Sequence, residues 1–232
     1  MNVNTIAGYS PVSRQAIERA AYSDQILFED LTARVWSVLD TYCISGSGSN
    51  NQPLGLLGTS GVATSAVSTQ TVAGIYPKLA DVIQQISTNV GGIGYVATKV
   101  FMHPRRWGMF SAATDSSGRP LIVPSGPAQN PIAGGAPSGY GYVGNIFGLQ
   151  LFVDANIPTN RGTNTNEDVI LVVAHPPVHL LERPNDPVTL AFEQQAATSL
   201  QVQLVAYSYI AYTAGRYPGA CGYVSGMTPP AF

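Results

Sequence analysis

The sequence predicts an α+β fold, with helices early in the chain and strands late. Apolar residues recur at helical spacing through residues 13–44 and 71–92, whereas later apolar runs are mostly short and rich in β-branched and aromatic residues. The chain has 232 residues, 45% of them hydrophobic, which is enough to bury a core in one large domain or two small ones. Charged residues are only 10%, against roughly 25% in an average soluble domain. So little charge suits a surface that other subunits cover, because buried charge is costly.

The first helical region covers residues 13–44. Ser13 and Ser23 are suitable N-cap residues, so we expect a short helix followed by a long one. The periodic apolar positions of the long helix are Ile26 or Leu27, Leu31, Val35, Leu39 and Tyr42. The glycine- and proline-rich residues 45–58 that follow can only form a loop.

A second helix is predicted over residues 71–92, after an extended or loop-like stretch at 62–70. Pro77 falls in its first turns, where proline is best tolerated, and Gly91-Gly92 end it. Its apolar stripe consists of Ile75, Leu79, Val82, Ile83 and Ile86.

A corner is predicted where Lys99–Met102, a strand by composition, runs into His103-Pro104. Pro104 suits the first position of a helix over Arg105–Ala113. Trp107 and Phe110, three residues apart on this helix, are expected to pack inward while the two arginines point outward. An anion site at the N-terminus of the helix is the alternative.

The rest of the chain is predicted to be mainly β structure joined by loops. Residues 124–145 are a long glycine-, proline- and serine-rich loop of the kind that is functional or mobile. The other predicted segments, in order, are a turn at 115–118, a strand over 146–153, a turn at 156–158, a polar loop over 159–168, strands over 169–174, 178–182 and 188–192, a long strand over 200–218, and a glycine-rich tail.

Composition argues against several classes of protein. The net charge is −2, so there is no basic footprint for nucleic-acid recognition. No apolar run reaches the 18 residues needed to span a membrane, and the N-terminus has no signal-peptide pattern. Cys43 and Cys221 form neither a CxxC pair nor a disulfide framework, and we interpret them as isolated buried thiols in a reducing compartment.

No catalytic, cofactor-binding or metal-binding residue is predicted. The loop at 45–58 lacks the lysine and the preceding strand of a phosphate-binding loop, and no G-x-S-x-G is present. His175 and His179 are separated by two prolines that forbid a helix, and in an extended segment they lie about 13 Å apart, too far for one metal ion. The acidic pairs Glu29-Asp30 and Glu167-Asp168 are interpreted as a helix face and a loop.

Four segments, in this order, resemble the major capsid protein of tailed bacteriophages, which has the Hong Kong 97-like fold. The first covers residues 3–57, with VSRQ at residues 12–15 and PLGLL at 53–57, and resembles the family's entry into its spine helix and the loop that follows. The others are VFMHPRRWGMF (100–110), DSSGRPLIVP (115–124) and the strand pair GNIFGLQLFVDANIP (144–158). Each motif is weak alone, but their order over about residues 3–215 is fairly specific.

This resemblance implies a structural subunit that self-assembles, through pentameric and hexameric capsomers, into the icosahedral shell of a tailed phage or prophage around double-stranded DNA. It implies no enzyme activity, no cofactor, no membrane and only weak, non-specific DNA contact. The protein would be synthesised in the bacterial host cytoplasm and reside in the virion. It also implies that the corner at residues 100–110 is structural. The alternatives are an encapsulin-type nanocompartment shell and, less favoured, an unrelated soluble hydrolase or binding domain.

The resemblance also implies a division of the chain into a peripheral (P) and an axial (A) domain. The P domain would contain residues 1–61, an E-loop remnant with the spine helix and its loop, together with strands in 176–205. The A domain would be residues 62–175, and 206–232 would be a C-terminal strand and tail. About 12 residues precede Ser13, so the N-terminal arm and most of the E-loop are expected to be lacking, and such a chain could remain a monomer. With only Lys78 and Lys99, no lysine–asparagine crosslink is expected.

Overall fold

The structure, a computed structural model, describes residues 2–19, 23–88, 95–114, 141–162, 165–174, 178–182, 188–196 and 200–230. The chain forms two compact units. Unit 1 contains residues 1–58 and 179–213, and unit 2 contains residues 59–178 and 214–232. The chain therefore leaves unit 1, builds most of unit 2, returns to unit 1 and ends in unit 2.

The elements follow in chain order. They are β1 (Asn4–Ser13), α1 (Arg14–Arg19), α2 (Ser23–Ser45), a 3-10 turn (Leu56–Gly58), β2 (Ala63–Ala66), α3 (Val72–Thr88), β3 (Ala97–Met102), α4 (Pro104–Ala112), β4 (Tyr142–Ile146), β5 (Leu149–Val153), β6 (Asp168–Ala174), β7 (His179–Glu182), β8 (Thr189–Ala196), β9 (Gln201–Thr213), a 3-10 turn (Pro218–Ala220) and β10 (Cys221–Met227). Among the described residues, no helix is long and apolar enough to cross a membrane.

Unit 1 is a four-stranded antiparallel sheet with a helix on one face. β1 pairs with β9 along its whole length, and β7 and β8 pair with the opposite edge of β9. Because side chains alternate along a strand, Ile6, Ala206 and Ile210 share one face, and they pack against Val35 and Leu39 of α2. The even-numbered positions of β1 and β9 thus form the core side.

Unit 2 is a six-stranded mixed sheet in the order β2-β10-β6-β3-β5-β4. β2 runs parallel to β10 and β3 parallel to β5, and the other pairs are antiparallel. α3 lies against this sheet, as its amphipathic stripe requires. The core of unit 2 contains fully buried side chains from α3, the sheet and α4, namely Ile75, Leu79, Val82, Ile86, Val100, Met102, Phe110, Ile170 and Val172.

The predicted helices and the β3–α4 corner are confirmed. The short helix followed by a long one appears as α1, directly after Ser13, and α2, which begins at Ser23. In α3 the predicted stripe faces the core, with Ile83 only partly buried. Pro104 is the first residue of α4. Gly91-Gly92 and the turn predicted at 115–118 lie outside the described residues.

The region around residue 146 differs from the prediction. Residues 142–145, expected to be loop, form most of β4, and the single strand that the residue pattern predicted over 146–153 is a hairpin of β4 and β5, in agreement with the strand pair that the family resemblance implied over 144–158. Phe147 and Gly148 connect the two strands with φ angles of 52° and 76°. Two left-handed residues in a two-residue connection are typical of a type I′ turn, whose twist matches that of the strands. Because phenylalanine seldom adopts this conformation, the sequence carries no ordinary turn signal there.

The prediction of a glycine-rich C-terminal tail is wrong for residues 221–227, which form β10 in the interior of the unit 2 sheet. The long strand expected over 200–218 ends at Thr213. The glycine content of β10 reflects close packing: a Cβ on Gly222 would lie 2.4 Å from Cγ1 of Val82 and 3.1 Å from the carbonyl oxygen of Ala63. Glycine at this position lets α3 approach the sheet.

Candidate functional site

The corner between β3 and α4 is closed by local hydrogen bonds. Nδ1 of His103, the N-cap residue, accepts from the backbone N–H of Arg105 at 3.2 Å. The backbone N–H groups of Arg106 and Trp107 both donate to the carbonyl oxygen of His103, at 2.9 and 3.1 Å. Pro104 has no N–H to satisfy, so the donors of the first turn are all used within the corner.

Asp168 lies opposite this corner and binds both arginines. Its carboxylate is fully buried, at the first position of β6. Nε and Nη2 of Arg106 donate to Oδ2 at 3.1 and 2.8 Å, and Nε of Arg105 donates to Oδ1 at 2.7 Å, with Arg105 Nη2 also in contact with Oδ1. One carboxylate thus accepts from two guanidinium groups, a charge-assisted arrangement of the strong kind.

Arg106 extends the cluster to the end of the chain. Its Nη2 donates to the carbonyl oxygens of Met227 and Thr228, at 3.3 and 2.6 Å, and its Nη1 contacts the sulfur of Met109 at 3.1 Å. Gln70 holds the same segment from the other side, because its Nε2 donates to the carbonyl oxygen of Gly226 at 2.8 Å and its Oε1 accepts from the N–H of Thr228 at 3.1 Å. The buried guanidinium therefore joins α4, the start of β6 and the residues that follow β10.

Burial governs the electrostatics of this cluster. The Arg106 and Asp168 side chains are both 0% exposed. Burial lowers the pKa of the Arg106 guanidinium, and Asp168 opposes that effect by stabilising the charged form. Burial also lowers the pKa of His103. Two opposite charges in a dry interior are tolerated only when their remaining hydrogen-bonding groups are satisfied, as they are here.

These positions correct two predictions. The expectation that both arginines point outward is wrong for Arg106, which is fully buried, while the Arg105 side chain is 29% exposed. The interpretation of Glu167-Asp168 as loop is wrong for Asp168, the buried first residue of β6. The burial of Arg106 could have been predicted from helical spacing, because Arg106 lies four residues before the buried Phe110 and shares its face of the helix. Trp107 is partly buried against the core, as predicted.

The hydrogen bonds and ion pairs of the corner hold α4, β6 and the residues after β10 together. Arg105 and Arg106 direct their guanidinium groups at Asp168 and at the backbone carbonyls of Thr159, Met227 and Thr228, and the described N–H groups of the first turn are bonded to His103, which argues against the alternative of an anion site. No described buried side-chain nitrogen or oxygen lacks a hydrogen-bond partner. Within the described ranges no three His, Cys, Asp or Glu residues cluster as metal ligands would. His179 lies in β7, and His175 is outside those ranges.

The cysteines and the glycine-rich loop also have structural environments. Both cysteines are free, and Cys221 is buried as predicted whereas Cys43 is half-buried. Burial raises the pKa of each thiol to about 12, so neither is a reactive thiolate. In the loop after α2, a Cβ on Gly46 would lie 2.2 Å from the carbonyl oxygen of Pro53, and one on Gly55 would lie 2.5 Å from the backbone nitrogen of Gly46. These glycines allow backbone segments to touch rather than cradle a phosphate.

Sequence comparison decides what kind of protein this is. A sequence model described as "Phage capsid family" matches residues 1–210. The chain belongs to the phage capsid family. This phage capsid protein is a structural component of a capsid shell, as the order of its four motifs predicted. A search of curated proteins found no match.

Solved structures confirm the Hong Kong 97-like α+β fold of this phage capsid protein. The capsid of a native GTA particle superposes with a TM-score of 0.70 at 14% identity, covering 97% of this chain and 73% of that one. The Gordonia phage Cozz structure gives 0.66 at 13% identity, covering 99% and 71%. The holo-SrpI encapsulin complex from Synechococcus elongatus PCC 7942 gives 0.69 at 13% identity, covering 99% and 76%. Phage capsids and an encapsulin thus share the fold of this chain.

Proposed function

We propose that this chain is the major capsid protein of a tailed phage or prophage. Copies of it assemble through pentameric and hexameric capsomers into an icosahedral shell that encloses double-stranded DNA. The family match over residues 1–210 carries the proposal. Two features support it: charged residues make up only 10% of the chain, and the charges of the corner satisfy one another instead of facing a substrate. A protein of this kind is not an enzyme and uses no cofactor.

The two units take the two roles that the family resemblance implies. Unit 1 is the peripheral domain, with α2 as its spine helix, and unit 2 is the axial domain. The peripheral domain is then built from residues 1–58 and 179–213, and the axial domain from residues 59–178 and 214–232. In this assignment the chain end after Thr213 belongs to the axial sheet, where β10 lies between β2 and β6.

Residues 124–145 are proposed to contribute capsomer contacts, because a long glycine-rich segment adapts to neighbours in slightly different positions. Residues 124–140 lie outside the described residues, and 142–145 belong to β4. Deleting residues 128–140 is expected to impair capsomer formation. Normal capsomers from that variant would count against this role.

The packaged DNA is proposed to be a weak, non-specific contact. A net charge of −2 provides little attraction for the phosphates of DNA. The chain also has no basic element that would read a DNA sequence through contacts with its bases. The protein is made in the cytoplasm of a bacterial host and resides in the virion.

An encapsulin-type compartment is the second candidate, because the holo-SrpI encapsulin shares the fold of this chain at a TM-score of 0.69. The content of purified particles separates the two. Nuclease-resistant double-stranded DNA inside particles from the native source supports the phage capsid. Shells that hold a protein cargo and no DNA would support the encapsulin.

Light scattering on a size-exclusion column, followed by negative-stain microscopy of each peak, tests the assembly. The expected result is concentration-dependent rings of five or six subunits, sheets or shells. A species that stays at 24.4 kDa at every accessible concentration would contradict self-assembly of this chain.

A further inference from the structure

The unit 1 sheet has a second face, opposite α2, that carries large apolar side chains. By strand alternation the odd-numbered residues of β1 and β9 lie on this face, and the register places Tyr9 opposite Val205 and Ala7 opposite Tyr207. We call this surface the tyrosine face; its members are Val3, Tyr9, Leu181, Val205, Tyr207 and Tyr209. The rings of Tyr207 and Tyr209 stand edge to face, with centroids 5.7 Å apart.

The tyrosine face is exposed and apolar. Tyr9 is 69% exposed, Val3 68%, Leu181 61% and Tyr209 46%. These four side chains together present roughly 500 Å² to solvent, which is near the upper end for the largest apolar patch of an ordinary monomer. It is also a large part of the roughly 800 Å² that each partner buries in a standard interface.

The neighbouring backbone edge is protected against strand addition. Nδ2 of Asn51 donates to the carbonyl oxygen of Thr5 at 3.0 Å, so the backbone groups of Thr5 point away from β9. Because this direction alternates along an antiparallel strand, the backbone groups of the other odd-numbered residues of β1 also point away from β9. Pro11 is another of these positions and has no N–H. Only the backbone groups of Ala7 and Tyr9 remain between these two blocks. A strand added at the edge of β1 would therefore form too few backbone hydrogen bonds. A partner binds instead through the side chains of the tyrosine face.

The charge of the face narrows the choice of partner. The six members of the tyrosine face carry no charge, so these side chains offer no ionic recognition for phosphate, nucleic acid or a charged peptide, although the strand register places Glu193, opposite Gln203, on the same side of the sheet. Two copies of the chain that meet through these six side chains therefore bring no like charges together. A tyrosine-rich, charge-depleted patch is the composition of a protein–protein interface core.

We propose that the tyrosine face is a contact between copies of this chain, formed by side-chain packing and not by strand pairing. This inference rests on the proposed function, because it takes the partner to be a second capsid subunit. Tyr9 and Leu181, at opposite ends of the face, both lose their solvent exposure when subunits associate.

The test replaces these residues by glutamate in the full chain and measures association by light scattering. Tyr9→Glu and Leu181→Glu are each expected to raise the concentration needed for half-assembly by at least about tenfold, the effect of burying an unpaired charge in an interface core. Val96→Glu is the matched control, because Val96 is 72% exposed in unit 2, and it is expected to change that concentration less than about twofold. Thermal melts confirm that each variant folds.

A second measurement needs no variant. Tyrosine nitration by tetranitromethane, read by mass spectrometry, is expected to modify Tyr9 and Tyr209 at least about fivefold less in the assembled wild-type protein than in dissociated subunits, as burial in an interface requires.

Equal nitration, or glutamate variants that fold and assemble like wild type, overturns the tyrosine-face contact while leaving the capsid function intact. A wild-type chain that never associates overturns both, so the two failures are distinguishable.

Discussion

Replacing Arg106 by methionine is expected to destabilise unit 2 strongly. The change keeps an apolar stem of similar length but removes the guanidinium that donates to Asp168 and to the carbonyl oxygens of Met227 and Thr228. Two carbonyl groups that lose their donor cost about 1 kcal/mol each. The buried carboxylate keeps Arg105 but loses its second cation, at a cost of about 2 kcal/mol more. The sum, about 4 kcal/mol, lies within the range of roughly 3–5 kcal/mol for breaking a buried ion pair.

The unfolding of unit 2 can be followed separately, because the two tryptophans of the chain lie in different units. Trp36 is in α2 of unit 1 and Trp107 is in α4 of unit 2. In a Trp36→Phe background, tryptophan fluorescence during urea unfolding follows unit 2 alone. With a slope of about 2 kcal/mol per molar urea, the midpoint should fall by about 2 M in Arg106→Met.

Two further variants calibrate this result. Arg34→Met changes an exposed arginine of α2 and is expected to shift stability by less than about 0.5 kcal/mol. Arg106→Lys keeps the charge but loses the planar fork, so an intermediate loss of about 2 kcal/mol is expected. A midpoint shift below about 0.5 M in Arg106→Met would refute the inference that the buried arginine holds α4, β6 and the chain end together.

Three other predictions follow from the same structure. The folded pKa of His103 lies below its ordinary 6.5, so the unfolded chain binds the proton more readily; the contribution of neutral His103 to the stability of unit 2 is present above about pH 6.5 and is lost as pH falls through the folded pKa. The Trp107-monitored midpoint should therefore decrease between pH 7.5 and 5.5, and His103→Asn, which keeps a capping acceptor, should flatten that slope; an unchanged slope would assign it to other groups. With thiol pKa values of about 12 in place of 9.0, Cys43 and Cys221 should react with a disulfide reagent at pH 8 about a thousandfold more slowly than an open thiol, and rapid labelling of the native protein would count against their burial. Gly46→Ala should destabilise unit 1 by about 1–3 kcal/mol through its backbone clash, whereas Gly8→Ala, whose Cβ would meet only Leu31 Cδ2 at 3.9 Å, should cost much less; equal urea midpoints for the two variants would contradict the clash.

The helices could be predicted from the spacing of apolar residues, because the side chains that each helix buries lie close together in the sequence. In α3 the residues at helical spacing, from Ile75 to Ile86, all face one core, so the pattern and the packing coincide. The start of α4 was equally predictable, because Pro104 fixes its own φ angle and needs no backbone donor.

The strands that the sequence did not predict depend on contacts distant in sequence. β10 contains glycines and a serine that are typical of loops, yet Gly222 is required because Val82 of α3 packs directly over it. The β4–β5 hairpin lacks an Asn-Gly or Asp-Gly signal, since its turn is formed by Phe147 and Gly148.

The buried ion pair was missed for a related reason. Sequence reasoning places arginine on the surface by default, and Asp168 follows Arg106 by 62 residues. Only the fold brings the two together. The family, in contrast, could be predicted, because the order of four weak motifs is preserved along the chain and needs no knowledge of contacts.

The mass of the protein in solution as a function of concentration tests the central claim most directly. Native mass spectrometry or mass photometry of the wild-type chain should show a monomer of 24.4 kDa giving way to species five or six times heavier, and then to larger shells, as the concentration rises. The same series on Tyr9→Glu should remain at the monomer over a wider range. A wild-type chain that stays monomeric throughout would contradict its role as a self-assembling capsid subunit.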